Sequence, residues 1–127
     1  MALKRLLRPD RRRTVPPHFS WVDHRLIRQQ RLRDCDHAAW ALYLFLVCVG
    51  DAEGLSYYSD ASLARHLKLD LMALARARQQ LTGADLLAYE KPLYQVLALE
   101  ESATRLPGGE ARSVGEILRA VLGGGAS

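Results

Sequence analysis

The chain has 127 residues, 49% of them hydrophobic, which suits one compact domain with a real core and tails. It contains no Gly-rich phosphate loop, no Ser-His-Asp arrangement and no carboxylate pair in an apolar setting, so we expect no enzyme, cofactor, metal or small-molecule substrate. The net charge is +4, but residues 1–33 hold ten of the 18 basic residues and only two of the 14 acidic ones. This asymmetry predicts a polyanionic partner.

Residues 1–18 form a basic arm in which the run 11–13 is followed by Val-Pro-Pro, a sequence that favours extended backbone. The arm is either a solvated tail or a segment that tracks phosphates. The near-helical spacing of Val22, Leu26 and Ile27 then predicts a first helix over residues 20–33, with a basic exposed face.

The stretch DHAAWALYLFLVCV, residues 36–49, is apolar from Ala38 onward, so it predicts a central helix without a polar face. Asp36 is the expected N-cap and Gly50 the expected stop. Because the helix is hydrophobic all round, we expect it to be covered on all sides. Trp40, Leu44 and Leu46 should then be fully buried.

A strand and two helices are predicted next. Residues 55–58 alternate and are partly aromatic, which indicates a short strand. Ser59 is placed to cap a helix over residues 61–67, and Asp70 to cap a second over residues 71–82. The break between these helices is very short, as in a helix-turn-helix.

Residues 86–89 and 93–97 alternate as two strands around a short connection, so a β-hairpin follows the second helix. Residues 100–112 are polar and rich in Pro and Gly, which is typical of a linker. A final amphipathic helix is predicted over residues 113–122, opened by a Ser-x-x-Glu capping box. Its apolar stripe could cover the domain itself or pair with a second copy or another protein.

The order of these elements resembles winged helix-turn-helix DNA-binding domains over residues 19–99. The matching residues are Ser59-Asp60-x-Ser62-Leu63-Ala64-x-x-Leu67, then Asp70, Leu74 and Leu81, then Leu86-Leu87-x-Tyr89. One departure is Asp85, where the family commonly has Gly before the wing. Residues 19–26 and 93–97 also look like a group of small bacterial proteins that accompany replication or mobile-element genes.

The resemblance implies a mainly α fold with a small β-hairpin, and a non-enzymatic protein that binds double-stranded DNA. The second helix of the pair would enter the major groove. Its outward residues would be Met72, Ala73, Arg76, Gln79 and Gln80. Arg76 could pair with guanine, and Gln79 or Gln80 with adenine. The expected phosphate contacts are Arg11, Arg12, Arg13, Arg25, Arg28, Arg65, Lys68 and Lys91.

A different class of function stays open beside DNA binding. The same fold could serve as a protein–protein adaptor or oligomerisation module, with a homodimer or a protein partner held by the 113–122 helix. If basic residues share a face with the 71–82 helix, DNA binding is favoured. Transcription control, replication and mobile-element maintenance are all compatible with the resemblance.

The two cysteines, Cys35 and Cys48, are expected to be reduced thiols. The N-terminal residues lack the apolar core of a signal peptide, and no apolar run reaches the roughly 20 residues of a membrane span. We therefore expect a cytoplasmic protein without a membrane partner.

Overall fold

The computed structural model describes residues 3–100, and within them four helices accompany a small three-stranded antiparallel sheet. The chain divides after Val96, and all of these elements lie in the first unit, Met1–Val96. Helices predominate. The elements in chain order are α1 (Arg25–Arg28), α2 (His37–Val49), β1 (Leu55–Tyr57), α3 (Asp60–Leu67), α4 (Leu71–Gly83), β2 (Leu87–Glu90) and β3 (Leu93–Val96).

The three longer helices have the N-caps that the sequence predicts, although α3 begins one residue before the predicted 61–67, and each cap has a side-chain oxygen that accepts a backbone N–H of the first turn. Asp36 accepts from Ala39 at 3.1 Å at the start of α2. Ser59 caps α3 and Asp70 caps α4 in the same way. Each cap satisfies a donor that would otherwise have no partner in the helix.

The turn between α3 and α4 is three residues long and depends on Lys68, whose φ of 56° is left-handed. The N–H groups of Lys68 and Leu69 both donate to the carbonyl of Ala64, which closes α3. The predicted short break between the two helices is therefore confirmed.

The sheet has the strand order β1-β3-β2, so the hairpin strand β3 lies between its partner β2 and the distant strand β1. Ser56 pairs with Tyr94, and Tyr89 pairs with Tyr94 from the other side. Gly54 precedes β1 with a φ of 82°, and a Cβ there would lie 2.7 Å from the Val96 carbonyl oxygen. A glycine is thus required where the chain passes β3.

Helix α2 packs on α4 and β3, and α4 packs on α3 and β2. The residues that form this core are wholly or almost wholly inaccessible: Leu42, Leu46, Leu63, Leu74, Ala77, Leu81, Leu86 and Tyr94. Phe45 also contacts Tyr58 and His66, each with ring centroids 5.2 Å away, which joins α2 to α3.

The prediction that α2 is covered on all sides is wrong. Leu46 is completely buried, but Trp40 is 42% exposed and Leu44 56% exposed. The exposed positions of α2 follow helical spacing and form one stripe: His37, Trp40, Ala41, Leu44 and Cys48. The sheet and α4 occupy only part of the circumference of α2, so apolar composition alone did not decide which faces are covered.

The predicted first helix over residues 20–33 is also wrong in extent, because α1 has only four residues. Asp23 accepts the N–H of Arg25 at 2.9 Å at its start, and Gln30 takes a left-handed φ of 52° after its end. Leu26 and Leu32 are both buried. On one continuous helix, two side chains six residues apart would point in directions about 120° apart. The break after α1 therefore allows Leu26 and Leu32 both to face the core.

In the predicted arm, residues 3–18 are all exposed, and this described part contains a single 3₁₀ turn, Pro9–Arg11. The predicted hairpin is present: β3 lies within the predicted 93–97, and β2 is displaced by one residue from the predicted 86–89. Asp85 adopts a left-handed φ of 63° before β2, a conformation that Gly adopts most readily and Asp more readily than most other residues. The linker over 100–112 lies almost wholly, and the 113–122 helix entirely, outside the described residues.

Candidate nucleic-acid interface

Helix α4 has one buried side and one outward side, and the outward side is the one predicted to face DNA. Leu74, Ala77 and Leu81 are fully buried. Of the five predicted base-facing residues, three are exposed and two are half-buried: Met72, Arg76 and Gln79 in the first group, Ala73 and Gln80 in the second.

Two of these outward side chains are held by Asp36, the N-cap of α2. The Nε of Arg76 donates to Asp36 Oδ2 at 3.3 Å, and the backbone N–H of Asp36 donates to Gln80 Oε1 at 2.8 Å. The N–H of Ala39 and the guanidinium of Arg76 lower the pKa of the Asp36 carboxyl. This carboxylate is therefore a charged neighbour of α4 at neutral pH.

Sequence reasoning assigned Asp36 only its capping role. The Asp36–Arg76 contact joins residues 40 positions apart, and no local pattern marks it. Nothing in the spacing of the two residues could have found the pair.

A cleft of about 410 Å³ lies between the segment that follows α1 and the last turns of α4. Arg31 and Arg33 line it from the first side, and Gln79 and Gln80 from the other. Asp34 is also in its wall, so the cleft is not uniformly basic. Part of the basic N-terminal third of the chain thus adjoins the outward side of α4.

The side chains predicted to contact phosphates differ in whether an acidic residue already binds them. Arg25 is bound to Asp23 through Nε and Nη2, with Nη2 only 2.8 Å from Asp23 Oδ2, so its charge is already paired. That pairing lowers the pKa of Asp23 from 3.8 to about 2. The side chains of the other predicted phosphate contacts are all exposed: Arg11, Arg12, Arg13, Arg28, Arg65, Lys68 and Lys91.

The structure does not gather all of these groups at one place. Within residues 3–100, no hydrogen bond or ion pair links Arg11, Arg12 or Arg13 to α4. Lys91 lies in the two-residue turn of the hairpin, at the end of the sheet's β2–β3 pair.

Arg78 connects the helix pair to the hairpin from the inner side of α4. Its Nη1 donates to Asp60 Oδ1 at 2.9 Å and to the Tyr94 hydroxyl at 2.7 Å, and its guanidinium lies 4.4 Å from the centre of the Tyr89 ring. Burial opposes its charge, but the bonds to Asp60 and Tyr94 outweigh burial and raise the pKa of Arg78. Arg78 thus links α4 to α3 and to both strands of the hairpin.

No protein-family model, curated protein or solved structure matches the chain. Among residues 3–100, no helix combines the length and the hydropathy that crossing a bilayer requires. The same part of the chain contains no group of three His, Cys, Asp or Glu residues that could hold a metal ion.

Proposed function

We propose that this protein binds double-stranded DNA as a winged helix-turn-helix domain. Helix α4 would enter the major groove, and the basic N-terminal arm would contact phosphates. The observation that carries the proposal is the cleft in which Arg31 and Arg33 adjoin Gln79 on the outward side of α4. Basic side chains beside a polar, outward helix face suit a groove-reading helix, because they could contact the phosphates that flank the groove.

The topology supports the same assignment. A helix, a strand, two helices joined by a three-residue turn and a hairpin follow each other, and β1 joins the hairpin through β3. In a winged domain the hairpin is the wing, and Lys91 at its turn would contact a phosphate. Leu74, Ala77 and Leu81 pack α4 into the core, and Met72, Arg76 and Gln79 are exposed on its outward side, where DNA would bind.

The arm would provide most of the affinity. Arg11, Arg12 and Arg13 are consecutive and exposed. Contacts of such residues to phosphates release counterions and do not depend on base sequence. We expect strong salt dependence together with a modest sequence preference, in a cytoplasmic protein that serves transcription control, replication or mobile-element maintenance.

Fluorescence anisotropy with a labelled random duplex across a salt series tests this proposal. Each lost phosphate contact should flatten the plot of log affinity against log salt by about 0.9. Replacing Arg11, Arg12 and Arg13 by Ala should therefore lower the slope by up to about 3. The matched control replaces the same three residues by Lys, which keeps the charge and should keep the slope. Absence of binding at low salt would show that the proposal is wrong.

A second candidate function is self-association through the exposed stripe of α2. Trp40 and Leu44 are large apolar side chains at the centre of this stripe, and contiguous exposed apolar surface often marks an interaction site. The described stripe carries no acidic or permanently basic residue, so two copies could pack about a two-fold axis without charge repulsion.

Sedimentation velocity over a concentration series, without DNA, tests the second candidate. If the stripe mediates a dimer, Leu44→Glu should produce a monomer at concentrations where the parent protein sediments as a dimer. Leu71→Glu is the matched control, since Leu71 is a similarly exposed leucine on another helix, at 60%. A parent protein that is monomeric throughout would exclude this candidate.

A further inference from the structure

Three atoms of Asp36, its two carboxylate oxygens and its backbone nitrogen, each make a hydrogen bond. Its Oδ1 accepts the N–H of Ala39 and so caps α2. Its Oδ2 accepts the Nε of Arg76, and its own N–H donates to Gln80 Oε1. Asp36, which lies outside α4, thus contacts Arg76 and Gln80, two side chains about one helical turn apart on the helix that would face DNA.

The contact with Arg76 determines which of its donors are available. The Nε is the nitrogen that donates to Asp36, while the two terminal nitrogens make no hydrogen bond within residues 3–100. The side chain is 58% exposed. A guanidinium held at Nε presents its terminal fork outward, and such a fork can donate to O6 and N7 of one guanine.

The contact with Gln80 has the opposite effect. A backbone N–H is only a donor, so the Gln80 atom that it reaches must be the carbonyl oxygen. One lone pair of that oxygen is then occupied, and the half-buried Gln80 amide is tethered to the start of α2, so it is less able than a free amide to make the donor-and-acceptor pair that reads adenine. Gln79 is exposed and makes no side-chain hydrogen bond among the described residues, so it keeps both groups.

We propose that Asp36 is a positioning residue for base recognition: it presents Arg76 to guanine and withdraws Gln80 from adenine, leaving Gln79 as the adenine-reading side chain. This inference rests on the proposed binding of duplex DNA by α4. It also predicts the composition of the preferred site, in which the guanine read by Arg76 lies beside the base pair read by Gln79.

The test begins with selection of a preferred site from a randomised duplex pool by the full-length protein. Competition anisotropy then measures the affinity for that site and for duplexes with single base-pair changes. A bidentate arginine–guanine contact discriminates by about 5- to 150-fold. We expect Arg76→Ala to abolish discrimination at one guanine, and Asp36→Asn to reduce it at least about fivefold at that same guanine.

Asparagine caps helices as well as aspartate does, so Asp36→Asn should keep α2 intact while removing the charge that holds Arg76. Asp36→Ser, also a good cap, is the second variant in case the first unfolds. The matched control is Asp70→Asn, the same substitution at the N-cap of α4, because Asp70 accepts from Ala73 but forms no ion pair among the described residues. It should leave discrimination at the guanine unchanged.

A structural role alone would lower affinity for every duplex equally, whereas a positioning role changes preference at one base pair. In the Arg76→Ala background, Asp36→Asn should therefore have no further effect on discrimination. If Asp36→Asn keeps the parent preference, or the selected site lacks a guanine that depends on Arg76, the positioning role is wrong while DNA binding stands. If the parent protein binds no duplex, the proposed function and the positioning role both fail.

Discussion

Replacing Arg78 by Met should destabilise the protein while leaving its outward surface unchanged. Methionine retains most of the apolar stem, so the substitution removes chiefly the guanidinium. That group contacts Asp60, Tyr94 and the face of Tyr89, and its side chain is only 14% exposed. The loss therefore affects α3, α4 and the hairpin at once.

The contacts contribute unequally to the expected cost. The Asp60 side chain is 43% exposed, so water can replace its partner and the ion pair contributes about 1 kcal/mol or less. Tyr94 is completely buried, and an orphaned hydroxyl there costs about 1–3 kcal/mol. The stacking of the cation on Tyr89 adds about 0.5–2 kcal/mol. Together these contributions predict that the free energy of unfolding falls by about 1.5–6 kcal/mol.

Urea denaturation followed by circular dichroism measures this change, and Tyr94→Phe gives the control. Alone, Tyr94→Phe should cost about 1 kcal/mol, since Arg78 keeps Asp60. In the Arg78→Met background it should cost nothing or restore stability, because it removes the orphaned hydroxyl. An Arg78→Met protein within about 0.5 kcal/mol of the parent, or strictly additive losses, would refute the reasoning.

Four further substitutions test the packing and one ion pair. Leu46→Ala should lower the free energy of unfolding by about 2–5 kcal/mol, whereas Leu44→Ala on the exposed stripe should change it by less than about 1; equal losses would contradict the exposure of α2. Gly54→Ala should cost about 1–3 kcal/mol in the same urea titration, because its left-handed backbone approaches β3. The pKa of Asp23 is lowered to about 2 by Arg25, so its stabilising contribution is present above pH 4 and lost between pH 4 and pH 2. The difference in melting temperature between the parent and Asp23→Asn should accordingly vanish across that interval.

Sequence patterns that act over a few residues predicted much of the fold. Ser59 and Asp70 each cap a helix because the acceptor and the N–H are three residues apart, and such a contact needs no other part of the chain. The short turn at Lys68 and the hairpin are local in the same sense. Arg76 and Gln79 also lie on the outward side of α4, as helical spacing predicts.

The tertiary structure alone decided which surfaces of these elements are covered and which side chains are bound. Trp40 and Leu46 belong to one apolar helix, yet the first is exposed because neither α4 nor the sheet covers its side of α2. Asp36 meets Arg76 only because α2 packs on α4, across 40 residues of chain. Burial and long-range ion pairs depend on where distant segments lie, and a linear pattern of residue types does not contain that position.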